Sequence, residues 1–128
     1  MRLLLDTHVI FWAVMAPRFI SPAAKAALEA DENEIFVSIA SAWEMAIKVG
    51  RGKWPEAADL VDTFEIDVSS ERFRILPITL AHVRSAGLMQ AAHRDPFDRL
   101  LAAQATIEGL TLVTIDAKVQ ALGAPWLW

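Results

Sequence analysis

No cysteine occurs among the 128 residues, which excludes disulfides and thiolate-bound metal. That absence fits a reducing compartment, and the expected location is cytoplasmic. No uninterrupted apolar stretch reaches the length of a membrane span. A single Arg ahead of the first apolar run is not the layout of a signal peptide, so no membrane association is expected. Repeats, low-complexity segments and linkers are missing too, and residues 1–128 read as one domain. No glycine-rich loop follows any apolar run, which removes the usual nucleotide-phosphate cradles. Nor is positive charge in excess: the formal net charge is −4, so the molecule as a whole is not a generic polyanion binder.

What the chain does have is apolar residues, 55% of the total, above the usual share for a soluble domain. The surplus reads as a buried sheet plus a subunit or partner interface. Leu3-Leu4-Leu5 is a short apolar run that stops at Asp6, and the pattern recurs as Leu112-Val113-Thr114-Ile115-Asp116. Runs this short and this apolar predict buried, parallel strands. Strand signals at 2–5, 35–38, 73–76 and 112–114 alternate with helix signals. The predicted helices are 7–14, with Thr7 as a cap; 23–30, behind a Ser21-Pro22 start; and 39–49, halted by Gly50-Arg51-Gly52. Pro55 opens one helix to about residue 66, and Thr79 a short one ending near Gly87. The last, 97–108, is entered from the loop His93-Arg94-Asp95-Pro96 and closed by Gly109. Pro125 to Trp128 reads as a final edge strand. Strands alternating with helices predict an α/β fold, a three-layer α/β/α sandwich on a mainly parallel sheet.

In open α/β sheets, ligands gather at the carboxyl ends of the strands. Two strands that both end at Asp therefore point to a ligand attracted by clustered negative charge, and a hard divalent cation is the first such ligand. The candidate set is Asp6, Glu44, Asp98 and Asp116, with Asp95 as an additional acid. Glu44 is the only charge in the otherwise near-apolar stretch 39–47, and a buried carboxylate needs a cation or a metal. Asp98 opens another largely apolar helix whose N-terminus can face the strand ends. Each acid also has an ordinary structural reading. Asp95 with Pro96 is an N-cap pair, and Asp98 suits a capping box. Glu44 pairs with Lys48 at i,i+4, while Asp116 and Asp6 can each cap the helix that follows. Their joint occurrence around one predicted sheet edge favours a metal site. Carboxylates without thiolate select Mg²⁺ or Mn²⁺ over zinc. Mg²⁺ takes one or two protein carboxylates directly and keeps several waters, and such ions can activate water against a phosphodiester.

His8, His82 and His93 are too scattered for a zinc site and read as caps, surface groups or half-buried contacts. His8, two residues beyond Asp6, could touch a substrate. Lys48, Arg51 and Lys53 follow Glu44, and Arg94 and Arg99 flank the turn from Asp95 to Asp98. A rim of cations beside an acidic pocket would position phosphates while the pocket holds metal, although Lys48 and Arg51 also suit a helix C-terminus. Trp12, Trp43 and Trp54 could stack on bases, but their apolar surroundings favour core or interface.

Four stretches together resemble the PIN-domain family, and within it the VapC-type toxins of bacterial toxin–antitoxin pairs. They are Leu4-Leu5-Asp6-Thr7-His8, Ser41-Ala42-Trp43-Glu44-Met45-Ala46-Ile47-Lys48, the run from His93 to Ala105, and Leu112-Val113-Thr114-Ile115-Asp116. The resemblance spans essentially the whole chain. It implies a small α/β/α sandwich that acts as a Mg²⁺- or Mn²⁺-dependent endoribonuclease, using a metal-activated water. The family's four acidic positions fall on Asp6, Glu44, Asp98 and Asp116. Asp6 and Asp98 would bind the metal most directly, and Glu44 and Asp116 would ligate it or orient its waters. Asp95 matches a further acid in the subgroup carrying an Arg-Asp-Pro-Phe-Asp-Arg turn, and Thr114 matches a polar position that supports the last acid. Lys48, Arg51, Lys53, Arg94 and Arg99 would hold RNA. A homodimer is implied, as is an antitoxin whose extended tail covers the acidic groove. Leu88-Met89 departs from a Leu-Pro common before the turn. Two other readings stay open: a non-catalytic module whose pocket docks a partner's Arg, and a phosphoryl-transfer enzyme with a nucleophilic Asp. In the latter the residue two after the strand-end Asp is commonly a second Asp, and here it is His8.

Overall fold

In the computed structural model, which describes residues 1–128, the short apolar runs become five parallel strands. These are β1 (Arg2–Leu5), β2 (Glu34–Ser38), β3 (Arg74–Leu76), β4 (Thr111–Val113) and β5 (Trp126–Leu127), in the spatial order β3-β2-β1-β4-β5. Leu4 pairs with Phe36 on one side and Leu112 on the other. Alternate side chains of a strand leave by opposite faces. Leu3, Leu5, Ile35, Val37 and Val113 enter one core. Leu4, Phe36, Leu76 and Leu112 enter the other. Both faces are covered, so a central strand must be apolar at every position rather than at every second one. That requirement explains the unbroken leucine run.

The covering helices before β3 are α1 (Thr7–Met15), α2 (Pro22–Glu29), α3 (Ile39–Gly50), α4 (Ala58–Asp62) and α5 (Phe64–Ser70). After β3 come α6 (Leu80–Leu88), α7 (Pro96–Glu108) and α8 (Ala117–Gln120). Val9, Ile10, Met45, Leu60, Phe64 and Val68 fill the first core, and Leu101, Ala102, Ala105 and Val119 the second. The three layers predicted from the sequence are therefore present. β1 and β4 are neighbours, yet the chain leaves β1 toward β2 and reaches β4 from β3. Such a reversal of direction opens a crevice at the carboxyl ends of the two strands.

Four local expectations need correction. The predicted helix from residue 55 to 66 is a 3₁₀ turn at Pro55–Ala57 followed by α4 and α5, which runs on to Ser70. The break falls at Thr63, whose Oγ1 lies 2.9 Å from the Asp59 carbonyl and 2.6 Å from the Asp67 carboxylate. Such a hydroxyl competes with the helical ladder and bends it. The cap of α1 is Asp6 rather than Thr7: Asp6 is extended and its Oδ1 accepts from the Thr7 N–H at 2.7 Å. Thr7 is thus the first helical residue, and its hydroxyl is free for another use. β4 ends at Val113, one residue short of the prediction. Asp98 makes no capping box, its carboxylate meeting His93 instead. Ser38 Oγ accepts from Ala40 N–H as β2 passes directly into α3. Asp95 caps α7 with Pro96 as its first residue, and Gly109 closes it at φ 68°.

Candidate active site

Asp6 directly follows β1, and Asp116 caps α8 just beyond β4. α3 carries Glu44 to the same end of the sheet, and the first turn of α7 carries Asp98 and its N-cap Asp95. All five acids line one cavity of about 500 Å³, together with His8, Trp12, Lys48, His93, Ile115 and Lys118. The structure thus brings together every acid that the sequence singled out.

Hydroxyl groups organise these carboxylates. Thr114 Oγ1 donates to Asp6 Oδ2 at 2.7 Å and accepts from the Asp116 N–H at 3.1 Å. One hydroxyl therefore ties the acid after β1 to the acid after β4. Thr7 Oγ1 lies 2.7 Å from Glu44 Oε1 and 2.9 Å from Ser41 Oγ. A hydroxyl has one proton to give, so Thr7 donates to the carboxylate and accepts from Ser41. The other Glu44 oxygen accepts from Lys48 Nζ at 2.9 Å. Asp98 Oδ2 lies 2.6 Å from His93 Nε2, and Asp116 Oδ1 accepts from the Lys118 N–H at 2.8 Å.

The charges do not balance. Burial raises the pKa of Asp6, the bonds from Thr114 and from the Thr7 N–H oppose that rise, Glu44 adds to it, and His8 opposes it weakly. Burial also pushes Asp98 up to about 6, against the hydrogen bond from His93 and with help from Asp95, Asp6 and Glu44. The acids feel one another across the cavity, while Lys48 and Lys118 are the only Lys or Arg side chains lining it. No three of its His, Asp and Glu side chains form a closed ligand cage as they stand. The acids therefore share a cavity and not a tight coordination sphere. Apart from histidine the donors are all oxygen. A hydrated hard cation, which takes one or two carboxylates directly, fits such an open set. A tetrahedral structural zinc does not.

The predicted cations divide. Lys48 lines the cavity. Arg51 and Lys53 are exposed and line no space shared with the acids. Arg94 faces a neighbouring groove. Arg99 turns inward instead of joining a rim: its Nη1, Nη2 and Nε donate to the carbonyls of Met89, Ala91 and His93, each at 2.8 Å. Trp54 stacks on His8 at 4.6 Å, and Trp12 lines the cavity half-buried. Trp43 is 59% exposed with its ring edge-on to Phe97, so the core reading of this residue fails.

Sequence reasoning missed Thr7 and His93 as partners of the acids, Ser41 as the partner of the Thr7 hydroxyl, and Lys118 as a cation of the cavity. Ser41 could have been found, since it lies one turn before Glu44 on the same helical face. His93 approaches Asp98 across the N-cap turn, which no periodicity encodes.

A family profile for the PIN domain matches residues 3–124. Ribonuclease VapC22 of Mycobacterium tuberculosis is 30% identical over 129 aligned positions, covering 91% of this chain and 88% of the relative. VapBC2 from Rickettsia felis, bound to a DNA fragment from its promoter, has a similar fold: TM-score 0.72 at 21% identity, over 99% of this chain and 98% of that one. A toxin–antitoxin complex from Klebsiella pneumoniae also matches, with TM-score 0.60 at 22% identity, over 98% and 96% of the two chains.

Proposed function

This chain belongs to the PIN-domain family, and from that premise we propose that it is a metal-dependent endoribonuclease, the toxin of a toxin–antitoxin pair, with the whole chain acting as one PIN unit. The observation that carries the reading is the arrival of Asp6, Glu44, Asp98 and Asp116 from four separate segments at one under-neutralised cavity. A relative named as a ribonuclease supports RNA as the substrate. A similar fold in a toxin–antitoxin complex supports an antitoxin partner.

Asp6 and Asp98 would hold the ion most directly, and Glu44 and Asp116 would complete its shell or orient its waters. Asp95 caps α7 and adds negative charge. When bound, Mg²⁺ or Mn²⁺ supplies Lewis acidity toward water and phosphate oxygens. The remaining work belongs to the chain itself. Thr114 fixes the rotamer of Asp6, Thr7 and Lys48 hold the two oxygens of Glu44, and His93 holds Asp98. Such supporting bonds keep ligands in the productive orientation. Lys48 and Lys118 offer positive charge to the phosphodiester.

Phe19, Trp43, Leu80 and Leu88 are more than half exposed and supply apolar surface for a second copy and for the antitoxin. No helix is long and apolar enough to cross a membrane, and the site of action we propose is the cytoplasm. The test is RNA cleavage by wild type and Asp6→Asn in Mg²⁺ or Mn²⁺, with and without chelator. Cleavage that requires the ion and vanishes in the variant is expected; undiminished cleavage in chelator or in Asp6→Asn refutes the reading.

A further inference from the structure

Beside the acidic cavity lies a second groove of about 500 Å³, and His93 and Lys118 line both. Its other walls are residues 90–92, Arg94, and Ala121 with Leu122. No carboxylate faces it. The two adjoining spaces therefore differ in sign: five acids surround the first, and Arg94 and Lys118 flank the second.

The main chain of this groove is held in an uncommon way. Arg99 collects the carbonyls of Met89, Ala91 and His93, so every second carbonyl of the segment faces one guanidinium. All peptide bonds are trans, and in a planar trans peptide the N–H points opposite to the carbonyl of the same unit. The N–H groups of those three units belong to Gln90, Ala92 and Arg94. They point away from Arg99, and none of them donates to any group of the protein. Arg99 itself lines a hollow with Val83 and Gly87 and not this groove, while Arg94 stands between the two and borders both. Three free amide donors are thus oriented in advance, in a segment that also carries a guanidinium and faces an ammonium. Backbone N–H groups with Arg and Lys are the ordinary partners of nucleic-acid phosphates.

We propose that the groove binds RNA beside the scissile phosphate, with the backbone amides of Gln90, Ala92 and Arg94 and the side chains of Arg94 and Lys118 meeting successive phosphates of the strand, and that the surface over Ala121 and Leu122 holds the neighbouring base. The proposal rests on the ribonuclease reading of the acidic cavity. It makes the substrate a single strand at this point, because a base lying in the groove has left its stack and its pair. It also makes Arg99 a positioning residue, which acts on RNA only by fixing the segment that contacts it.

The test uses the full chain carrying Asp6→Asn, in chelator, with a fluorescent single-stranded oligoribonucleotide titrated over a range of salt. Arg94→Gln and Lys118→Gln should each weaken binding and each lower the slope of log K against log salt by about 0.7, the value for one phosphate contact on a single strand. Backbone amide resonances of Gln90, Ala92 and Arg94 should move as RNA is added. Arg99→Lys keeps the charge but loses the three-way fork, so it should weaken RNA binding and scatter those three resonances while the rest of the spectrum stays folded. RNA that binds and shifts the cavity residues but leaves the three amides unmoved, and the slope unchanged in Arg94→Gln and Lys118→Gln, overturns the proposal alone. RNA that binds to no variant, with no cleavage by wild type in either ion, overturns the ribonuclease reading and this proposal with it. Amides that respond to a polyglutamate peptide and not to RNA overturn it in favour of an acidic protein segment.

Discussion

Two buried polar clusters in this molecule are built on opposite principles. Under the end of β3, His82 is fully buried. Its Nδ1 accepts from the Thr79 N–H at 3.0 Å and its Nε2 lies 2.9 Å from Glu108. Gln104 donates to the Pro77 carbonyl, and only its Oε1 is left without a partner. Donors and acceptors there are nearly matched, so the cluster ties α6 to α7 and asks for nothing more. At the β1–β4 junction the acceptors outnumber the donors, and both Asp6 and Asp98 have raised pKa values. Burial alone does not separate the two regions, since His82, Gln104, Asp6 and Glu44 are all buried. Imbalance does. A satisfied cluster is structure; an unsatisfied one of a single sign is a seat for something that brings the other.

Substitutions should therefore act in opposite ways in the two regions. The largest effect expected is on turnover in Asp6→Asn, a loss exceeding the roughly 10–100-fold that removal of a supporting group produces, with a melting temperature no lower than that of ion-free wild type. His82→Ala should do the reverse. It removes a buried side chain and a helix cap, and should destabilise by about 2–4 kcal/mol while the folded fraction cleaves RNA at the wild-type rate. If His82→Ala abolishes turnover in folded protein, the distinction between the clusters fails.

Thr114→Val comes next. It deletes the hydroxyl that joins Asp6 to the Asp116 backbone, and turnover should fall about 10–100-fold, with more divalent ion needed to reach the maximum. A variant with unaltered ion dependence would show that this hydroxyl only fills space.

A pH series sharpens the comparison further. The folded-state pKa of Asp98 is about 6, above its ordinary value of 3.8, so between these values the folded protein binds more protons than the unfolded chain. Stability contributed by this group is full below about pH 4 and is lost as the pH rises through 6. Melts without divalent ion should show that decline in wild type and less of it in Asp98→Asn. Added Mg²⁺ competes for the deprotonated form, so it should raise the melting temperature more at pH 7.5 than at pH 5. A larger rise at pH 5 would contradict an ion held by these carboxylates. The smallest effects are expected for Arg51→Ala and Lys53→Ala. Both residues are exposed and away from the acids, and each should change turnover by no more than about twofold at physiological salt.

Much of this architecture is legible in the chain. Leu3-Leu4-Leu5 announces a strand covered on both faces, because only such a strand has no polar side. Asp95-Pro96 and Gly109 mark the ends of α7 because their caps act within one turn. The break at Thr63 is not legible in the same way, since the heptad-like spacing of Leu60 and Phe64 continues across it. The partners of the acids are still less so: Thr7 meets Ser41 and Glu44 across more than thirty residues, and Thr114 meets Asp6 across more than a hundred.

Patterning and capping are local, so they suffice to say which stretches extend, which coil, which end of the sheet gathers carboxylates and to which family the chain is related. The state of a side chain is not local. Arg94 and Arg99 stand five positions apart with similar neighbours, yet one borders an open groove and the other is held by three carbonyls. Whether a charge is satisfied depends on a sum over atoms delivered by α1, α3, α7 and the loop after β4, and that sum comes into existence only when those elements pack.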